Sequence, residues 1–355
     1  MKKAQPTVML VADDNGYADH KLAFFTADGK IECLKVATSV QVGGSNMTSV
    51  DGNRQNIYQV VDAENNVVNT YTCSAAVTQP LNLRNANYPF VEPNRVLLHH
   101  VMVKAGLAGK NVKVGLTLPF GDFFNADGSQ NVPFIKRAVE NFEQNNVVTE
   151  KDALKVAIAS AHMFPEALSA FYDWGLDETG GVLPRYEALE ESDGSILIVD
   201  IGGSTTDIVC IRMVDGSLMI DHAHSGTERI GVLDVKEQIN TEYQKKYGSG
   251  GHESHLSTRA VTKILETSKH RGGGRELDLS ADVQAIIGQV SQRVVNYVES
   301  KAGKIGDYQA IHFVGGGAVV FKDALQKAVS FATIGDEFAN ARGVLKYMVE
   351  QQEAN

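Results

Sequence analysis

Short apolar runs bounded by Asp, Asn and Gly open the chain. Val8 to Ala12 reads as a buried strand that stops at Asp13-Asp14-Asn15-Gly16. Lys21 to Phe25 resumes as a second strand, and Ala27-Asp28-Gly29-Lys30 predicts a hairpin turn. Up to about Val77, apolar runs alternate with Asn, Gly and Asp turns, the pattern of a β-rich region. Asn94 to Ala105 has helical periodicity and closes at Gly106. Val112 to Leu118 predicts a strand, Val132 to Gln144 a helix, Leu154 to Ile158 a strand, and Glu166 to Trp174 a helix. Glu187 to Gly194 is acidic and turn-rich and reads, with the preceding "DETGGVLPRY", as a crossover between domains.

β-patterning then restarts, with strands expected at Ile196–Asp200, Thr206–Met213 and Ser217–His222. A helix-rich stretch begins at Ile230, interrupted by glycine-rich segments at 248–255 and 270–275 that read as loops. Ala310 to Val314 predicts a strand running into Gly315-Gly316-Gly317, followed by helices at Phe321–Val329 and Arg342–Gln352. Each half thus opens with a strand, an Asp and a glycine turn, then a second strand. Two related α/β halves follow from that repetition.

Composition narrows the function classes. The chain has 355 residues, 43% of them hydrophobic and 21% charged, enough for two domains with real cores. A net charge of −10 argues against broad binding to nucleic-acid phosphates. Cys33, Cys73 and Cys210 are scattered, suggesting neither a disulfide framework nor a zinc site. The N-terminal apolar run is broken by Asp13 and Asp14, unlike a signal peptide, and no run approaches the ~18 apolar residues of a membrane span. A cytoplasmic protein that does not bind membranes is expected.

The candidate chemistry lies in two turns of matching composition. Asp14-Asn15-Gly16-Tyr17-Ala18-Asp19-His20-Lys21 links the first pair of strands, and Asp200-Ile201-Gly202-Gly203-Ser204-Thr205-Thr206-Asp207 the second. Glycines let backbone N–H groups converge on an anion, and a strand-end carboxylate can hold hydrated Mg²⁺. Lys21 adds a point charge for a phosphate. One such turn is usually a plain hairpin; two copies opening two halves are harder to explain that way. A third element, "IHFVGGGAVVF", takes a strand through a triple glycine into a helix, which admits a ligand close to the backbone.

These segments make the sequence similar to the actin-like ATPases, and more closely to the ParM/StbA plasmid-segregation family. "DNGYADHK" and "VDIGGSTTDI" resemble the two phosphate loops, and "HFVGGGAVVF" the adenosine motif. "LTLPFGDFFNADGSQNVPFIKRAVENF" resembles the family's Thr-Leu-Pro segment, and "MFPEALSAF" its Pro-Glu motif. The resemblance spans about residues 8 to 350. It implies an α/β, actin-like (ribonuclease H-like) fold with a nucleotide cleft between domain I (1–185 plus 336–355) and domain II (195–335). It implies Mg²⁺ bound through water by Asp14 and Asp207, and Glu166 orienting the attacking water. Asn15, Gly16, Tyr17 and Lys21 would hold the phosphates on one side, and Gly202, Gly203, Ser204, Thr205 and Thr206 on the other. Gly231 would lie at the ribose, and Gly315, Gly316 and Gly317 along the adenosine pocket. The first loop departs from the best-known family pattern, with Gly16-Tyr17 in place of a Ser-Thr pair and one more residue before the lysine. The implied cofactors are ATP, or GTP, with Mg²⁺. The implied partners are further copies of the chain in a filament and a small DNA-binding adaptor on a plasmid centromere-like site, with no direct contact to nucleic acid.

Plainer readings stand beside these. Glu166 follows Pro165 as a helix-start carboxylate would, and His99-His100 lies in an apolar helix as core. His222 and His224 alternate on an expected strand without an evident third ligand. "KHRGGGR", from Lys269, reads as a solvated basic turn or a filament contact. The alternative functions are a small-molecule kinase of the same superfamily and a non-enzymatic scaffold.

Overall fold

The structure, a computed structural model, describes residues 8–45, 50, 56–77, 79–151, 154–248, 256–272 and 274–353. The first half contains β1 (Val8–Asn15), β2 (Asp19–Phe25), β3 (Ile31–Ala37), β4 (Val40–Val42), β5 (Ile57–Val61), β6 (Val67–Cys73), α1 (Glu92–Lys104), β7 (Asn111–Leu118), α2 (Phe120–Phe123), α3 (Val132–Phe142), β8 (Val147–Thr149), β9 (Ala157–Pro165) and α4 (Leu168–Gly175). After α5 (Pro184–Glu191) come β10 (Ser195–Ile201), β11 (Thr206–Val214), β12 (Ser217–Ile220), β13 (Gly226–Glu228), α6 (Val232–Tyr247), α7 (Thr258–Thr267), β14 (Lys269–Gly272), β15 (Arg275–Asp278) and α8 (Ser280–Ala302). The chain closes with β16 (Ala310–Val314), α9 (Gly316–Val320), α10 (Lys322–Ala328), β17 (Thr333–Ile334) and α11 (Ala339–Glu353).

Two sheets of one plan result. The first has the order β3-β2-β1-β7-β9 and the second β12-β11-β10-β16-β17, with β13 added beside β11. In each, an antiparallel meander leads and parallel strands follow. β10 is buried at all seven positions, as a central strand covered on both faces must be. Its alternate side chains serve two cores. Leu197, Val199 and Ile201 pack under α6 and α8, whereas Ile196 and Ile198 pack with Phe171 and Trp174 of α4. β1 divides likewise: Val11 faces the α1 and α3 side, and Ala12 faces Val344, Leu345 and Met348 of α11. α4 on the second sheet and α11 on the first are therefore the layer between the two sheets.

Several boundaries differ from the sequence reading. β1 does not stop at Ala12; it continues through Asp13 and Asp14 to Asn15, because Asp14 pairs with Lys21 and Asn15 with His20 across the ladder. The strand expected at 154–158 lies at Ala157–Pro165, where exposed Ala159 and His162 alternate with buried Ile158, Ala161 and Met163 on a sheet edge. The crossover at 187–194 is mostly helix, with Pro184 in its first turn and only Leu189 buried, which leaves little periodicity to read. His222 and His224 lie in a short 3₁₀ turn capped by Asp221, not on a strand. The basic segment from Lys269 is a β-hairpin rather than a loop. Residues 249–255 of the other glycine-rich segment lie outside the described residues. His99 and His100 are buried, and His100 meets the Tyr58 hydroxyl at 2.9 Å.

Candidate active site

The β1–β2 and β10–β11 turns come from opposite halves of the chain and touch. A methyl group on Gly203 would sit 2.5 Å from the Ala18 Cβ, so only glycine admits this approach. On the first side Lys21 Nζ donates to Asp14 Oδ2 at 2.7 Å, and both are buried. Thr117 at the end of β7 donates to Asp14 Oδ1 at 3.0 Å and lies 3.5 Å from Glu166 Oε1. The Asn15 side chain accepts from the Thr117 N–H at 3.1 Å and thereby ties β1 to β7. Tyr17 lies against the Tyr88 ring, with centroids 4.9 Å apart, and donates to the Asn85 carbonyl.

Glu166 is delivered by an unusual backbone. Ala167 has φ 62° and ψ −46°, and the Leu168 N–H returns to the Glu166 carbonyl at 2.8 Å. This is a γ-turn of the strained hand, and such strain is held only where the surroundings over-determine it. Here the Ala167 N–H donates to Asn340 Oδ1 at 3.1 Å, and the Glu166 N–H to the Leu118 carbonyl at 2.8 Å. Glu166 is thus lifted off the helix and aimed into the junction.

On the second side, Asp207 Oδ1 accepts from the Phe120 N–H at 2.7 Å and the Thr227 hydroxyl at 2.5 Å. Its other oxygen, Oδ2, is buried without a donor. Asp200 Oδ2 accepts from the Asn340 amide at 2.7 Å, so one asparagine holds both the Glu166 turn and Asp200. Gly315 has φ 87° and lies against the Asp200 carboxylate, and Gly317 lies against Ile201, so the triple glycine packs directly on the end of β10. Gly316 begins α9. Gly231 abuts the carbonyls of Gly202 and Gly203, while the Val232 and Leu233 N–H groups donate to them at 3.1 and 2.8 Å. Ser204 accepts from Arg84 at 2.8 Å, and the Thr206 hydroxyl donates to the Ile230 carbonyl. Thr205 is buried in the same turn, and Gly16 accepts from Thr38 at 2.7 Å.

Four buried carboxylates, Asp14, Glu166, Asp200 and Asp207, therefore share a junction with one lysine. Burial, and then the charges of Asp207, Asp14 and Asp200, push Glu166 well above the usual carboxylate range. Burial and Asp14 push Asp200 up to about 7. Burial pushes Asp207 up to about 6, against the hydrogen bonds from Thr227 and Phe120. Burial opposes the Lys21 charge, but Asp14 and Asp200 outweigh it and keep the ammonium protonated. Among the described residues no three His, Cys, Asp or Glu side chains are placed to chelate an ion by themselves. The donor-free Asp207 Oδ2 and the excess of negative charge fit a cation that keeps its own water, as Mg²⁺ does.

This repulsion has a pH signature. A carboxylate whose pKa is raised on folding binds more protons in the native state, so stability falls as pH rises from about 4 to about 7, the window of Asp200. Asp200→Asn should raise the melting temperature of the nucleotide-free protein at pH 7.5 in chelator, by roughly 1–2 °C per kcal/mol relieved in a chain of this length, and leave it little changed at pH 4. Calorimetry at the two pH values checks this, and an equal shift at both would assign the effect to something other than charge.

Sequence reasoning placed the glycine turns and their carboxylates but missed Thr117, Thr227, Asn340 and Arg84. Arg84 bridges the halves from the first, reaching Ser204, Asp234 at 3.0 Å and Glu237 at 2.8 Å. Thr117 stands inside the Thr-Leu-Pro segment and Thr227 inside Ser225 to Ile239, the stretch around Gly231; Asn340 and Arg84 carry no local signal.

Two like sheets joined through paired strand–turn–strand hairpins define an actin-like protein. The fold superposes on a ParM from Clostridium botulinum, solved as a 15-stranded filament, with a TM-score of 0.75, 18% identity and coverage of 97% of this chain and 99% of that one. An archaeal actin homologue in complex with ADP matches with a TM-score of 0.69, 16% identity and coverage of 98% and 100%. ParM from Bacillus thuringiensis with ATP matches with a TM-score of 0.63, 15% identity and coverage of 98% and 100%. No curated protein matches by sequence. Residues 9–175 match the family model of the plasmid segregation protein ParM, N-terminal, and residues 198–327 that of the archaeal actin homologue MreB-like, C-terminal. The chain has an actin-like fold whose N-terminal half matches the ParM/StbA family model and whose C-terminal half matches the MreB-like one.

Proposed function

We propose that this chain is a Mg²⁺-dependent nucleoside triphosphatase, acting on ATP or GTP, that polymerises with nucleotide and drives plasmid segregation. The observation that carries the reading is the convergence of Asp14, Glu166, Asp200 and Asp207 with Lys21 where the two glycine turns meet. Phosphates would lie between Asn15, Gly16, Tyr17 and Lys21 on one side and Gly202 to Thr206 on the other. Domain I (1–185 plus 336–355) and domain II (195–335) would close on them. Mg²⁺, held through water by Asp14 and Asp207, would supply positive charge to the phosphates and offset the four carboxylates. Gly231 would line the ribose and Gly315 to Gly317 the base. Glu166 orients the attacking water. The nucleotide complexes and the filament solved for relatives support this reading.

Closure on the γ-phosphate would favour the polymerising conformation, and hydrolysis would loosen the polymer. The net charge of −10 suits an indirect link to DNA through a small adaptor on a centromere-like site. Among the described residues no helix is long and apolar enough to cross a membrane, and action in the bacterial cytoplasm belongs to the same proposal. The test is sedimentation and electron microscopy with ATP, with ADP and with a non-hydrolysable analogue. Filaments with the triphosphates and fewer with ADP are expected; none with any nucleotide overturns the reading.

A further inference from the structure

The second sheet and its appendages carry opposite charges on two separate surfaces. At one end, α7 and the β14–β15 hairpin form a groove of about 580 Å³ lined by Arg259, Lys263, Lys269, His270, Arg271 and Glu276. Arg275 adds a fifth exposed cation beside it. The single carboxylate lining the groove, Glu276, is shared by Lys269 at 2.9 Å and Arg271 at 2.6 Å. In a chain of net charge −10 this surplus is local and exposed.

The acidic counterpart is α5. Glu187, Glu190, Glu191 and Asp193 are exposed and have no ion-pair partner among the described residues. Arg185 on the same helix is exposed but committed within the chain, donating to the Trp174 carbonyl with its guanidinium over the indole at 5.5 Å.

The two charged surfaces face opposite ways. α5 leads into the start of β10, where Gln309 donates to both the Ala188 and Ser195 carbonyls, so it caps the N-terminal edge of the second sheet. The C-terminal end of α8 is near that edge, with Gly303 beside His224. Its 23 residues extend about 34 Å, whereas the seven of β10 span about 23 Å. The N-terminal half of α8 instead packs on α6, with Lys246 to Asp282 at 2.6 Å, and α6 starts against the Gly202 carbonyl at the C-terminal end of β10. The hairpin that precedes α8 therefore stands beyond the opposite edge of the sheet.

We propose that the groove between α7 and the β14–β15 hairpin receives the acidic α5 end of a second copy of this chain. The contact joins two different surfaces, so repeating it builds an open polymer rather than a closed dimer. Opposed charges also fix polarity, because basic ends and acidic ends each repel their own kind. The proposal rests on the reading that the chain polymerises, and names the contact that makes the polymer grow.

The test uses the full chain in three forms: Arg259→Glu with Lys263→Glu; Glu187→Lys with Glu190→Lys and Glu191→Lys; and all five together. None of these residues lies at the nucleotide junction, so binding of a fluorescent ATP analogue by the monomer should match wild type and report folding. Each one-sided set should raise the concentration needed for sedimentation with Mg·ATP about tenfold or more, and the five-fold set should recover most of the loss. If wild type assembles and both one-sided sets assemble equally well, this contact is wrong and the filament reading survives. If the one-sided sets fail but the five-fold set is no better, the two surfaces are not partners. If wild type never assembles, both fall. Retarded migration of a DNA duplex that only the Arg259/Lys263 set abolishes, with assembly unchanged, would assign the groove to nucleic acid instead.

Discussion

Replacing Glu166 by Ala should slow nucleotide turnover by about a hundredfold or more while leaving nucleotide-dependent assembly intact. Glu166 reaches the junction on a strained turn at Ala167, held by Asn340. Its carboxylate lies 3.5 Å from the Thr117 hydroxyl and beside the Asp207 carboxylate. Removing it should therefore cost little binding. It should even relieve repulsion, since Asp207 and Asp14 are the largest charges acting against its ionised form. In the proposed reaction it would offer a fixed acceptor for a water aimed at phosphorus, a need that arises only on the way to the transition state. A loss in kcat with KM nearly unchanged is the expected kinetic form. Phosphate release under single turnover, run beside sedimentation, separates the two roles. Glu166→Gln should fall between wild type and Ala, because the amide oxygen can still accept from water. Undiminished turnover in Glu166→Ala would remove this residue from the chemistry, and loss of assembly would make it structural.

The features readable in the sequence were those whose chemistry is contiguous. Each glycine turn shows its carboxylates, glycines and hydroxyls within eight residues, and the duplication of the pattern announced two α/β halves. The site's supports are of another kind. Thr227 and Asn340 are ordinary residues that reach Asp207 and Asp200 from 20 and 140 positions away. The positive φ of Ala167 sits on an alanine, a residue that gives no warning of it. β9 was misplaced because an edge strand mixes polar with apolar residues, and α5 because it buries a single side chain. Lys269 to Asp278 reads as a loop because of its glycine run, whereas its ladder carries charged pairs, Lys269 and Arg271 with Glu276, in place of an apolar alternation.

Gly343→Ala should destabilise the protein by about 3 kcal/mol, a substitution that helix propensity alone would score as stabilising. The gain expected from propensity is about 1 kcal/mol for a glycine inside a helix such as α11. Against it stands the crossing of α11 over α4. A methyl group at position 343 would overlap the Ser169 carbonyl oxygen and press on the Asp173 N–H at 2.9 Å. These are backbone atoms and cannot rotate away, so the helices must separate. Their separation would strain more than packing. Arg342 grips Asp173 at 2.6 and 3.1 Å, and Lys346 reaches Asp173 at 2.8 Å and the Leu176 carbonyl at 2.8 Å. One turn earlier on α11, Asn340 holds both the Ala167 N–H and Asp200. A shift of α11 therefore moves the support of Glu166 and of Asp200 together. A fall in melting temperature of about 4 °C is expected for a chain of this size, with turnover reduced even at temperatures where the variant is folded. Gly288→Ala, inside α8 with open space around its Cα, is the matched control and should be neutral or stabilising. Equal melting temperatures for the two variants would mean that the α4–α11 crossing can yield, and that the coupling between Asn340 and the Glu166–Ala167 turn is looser than the geometry requires.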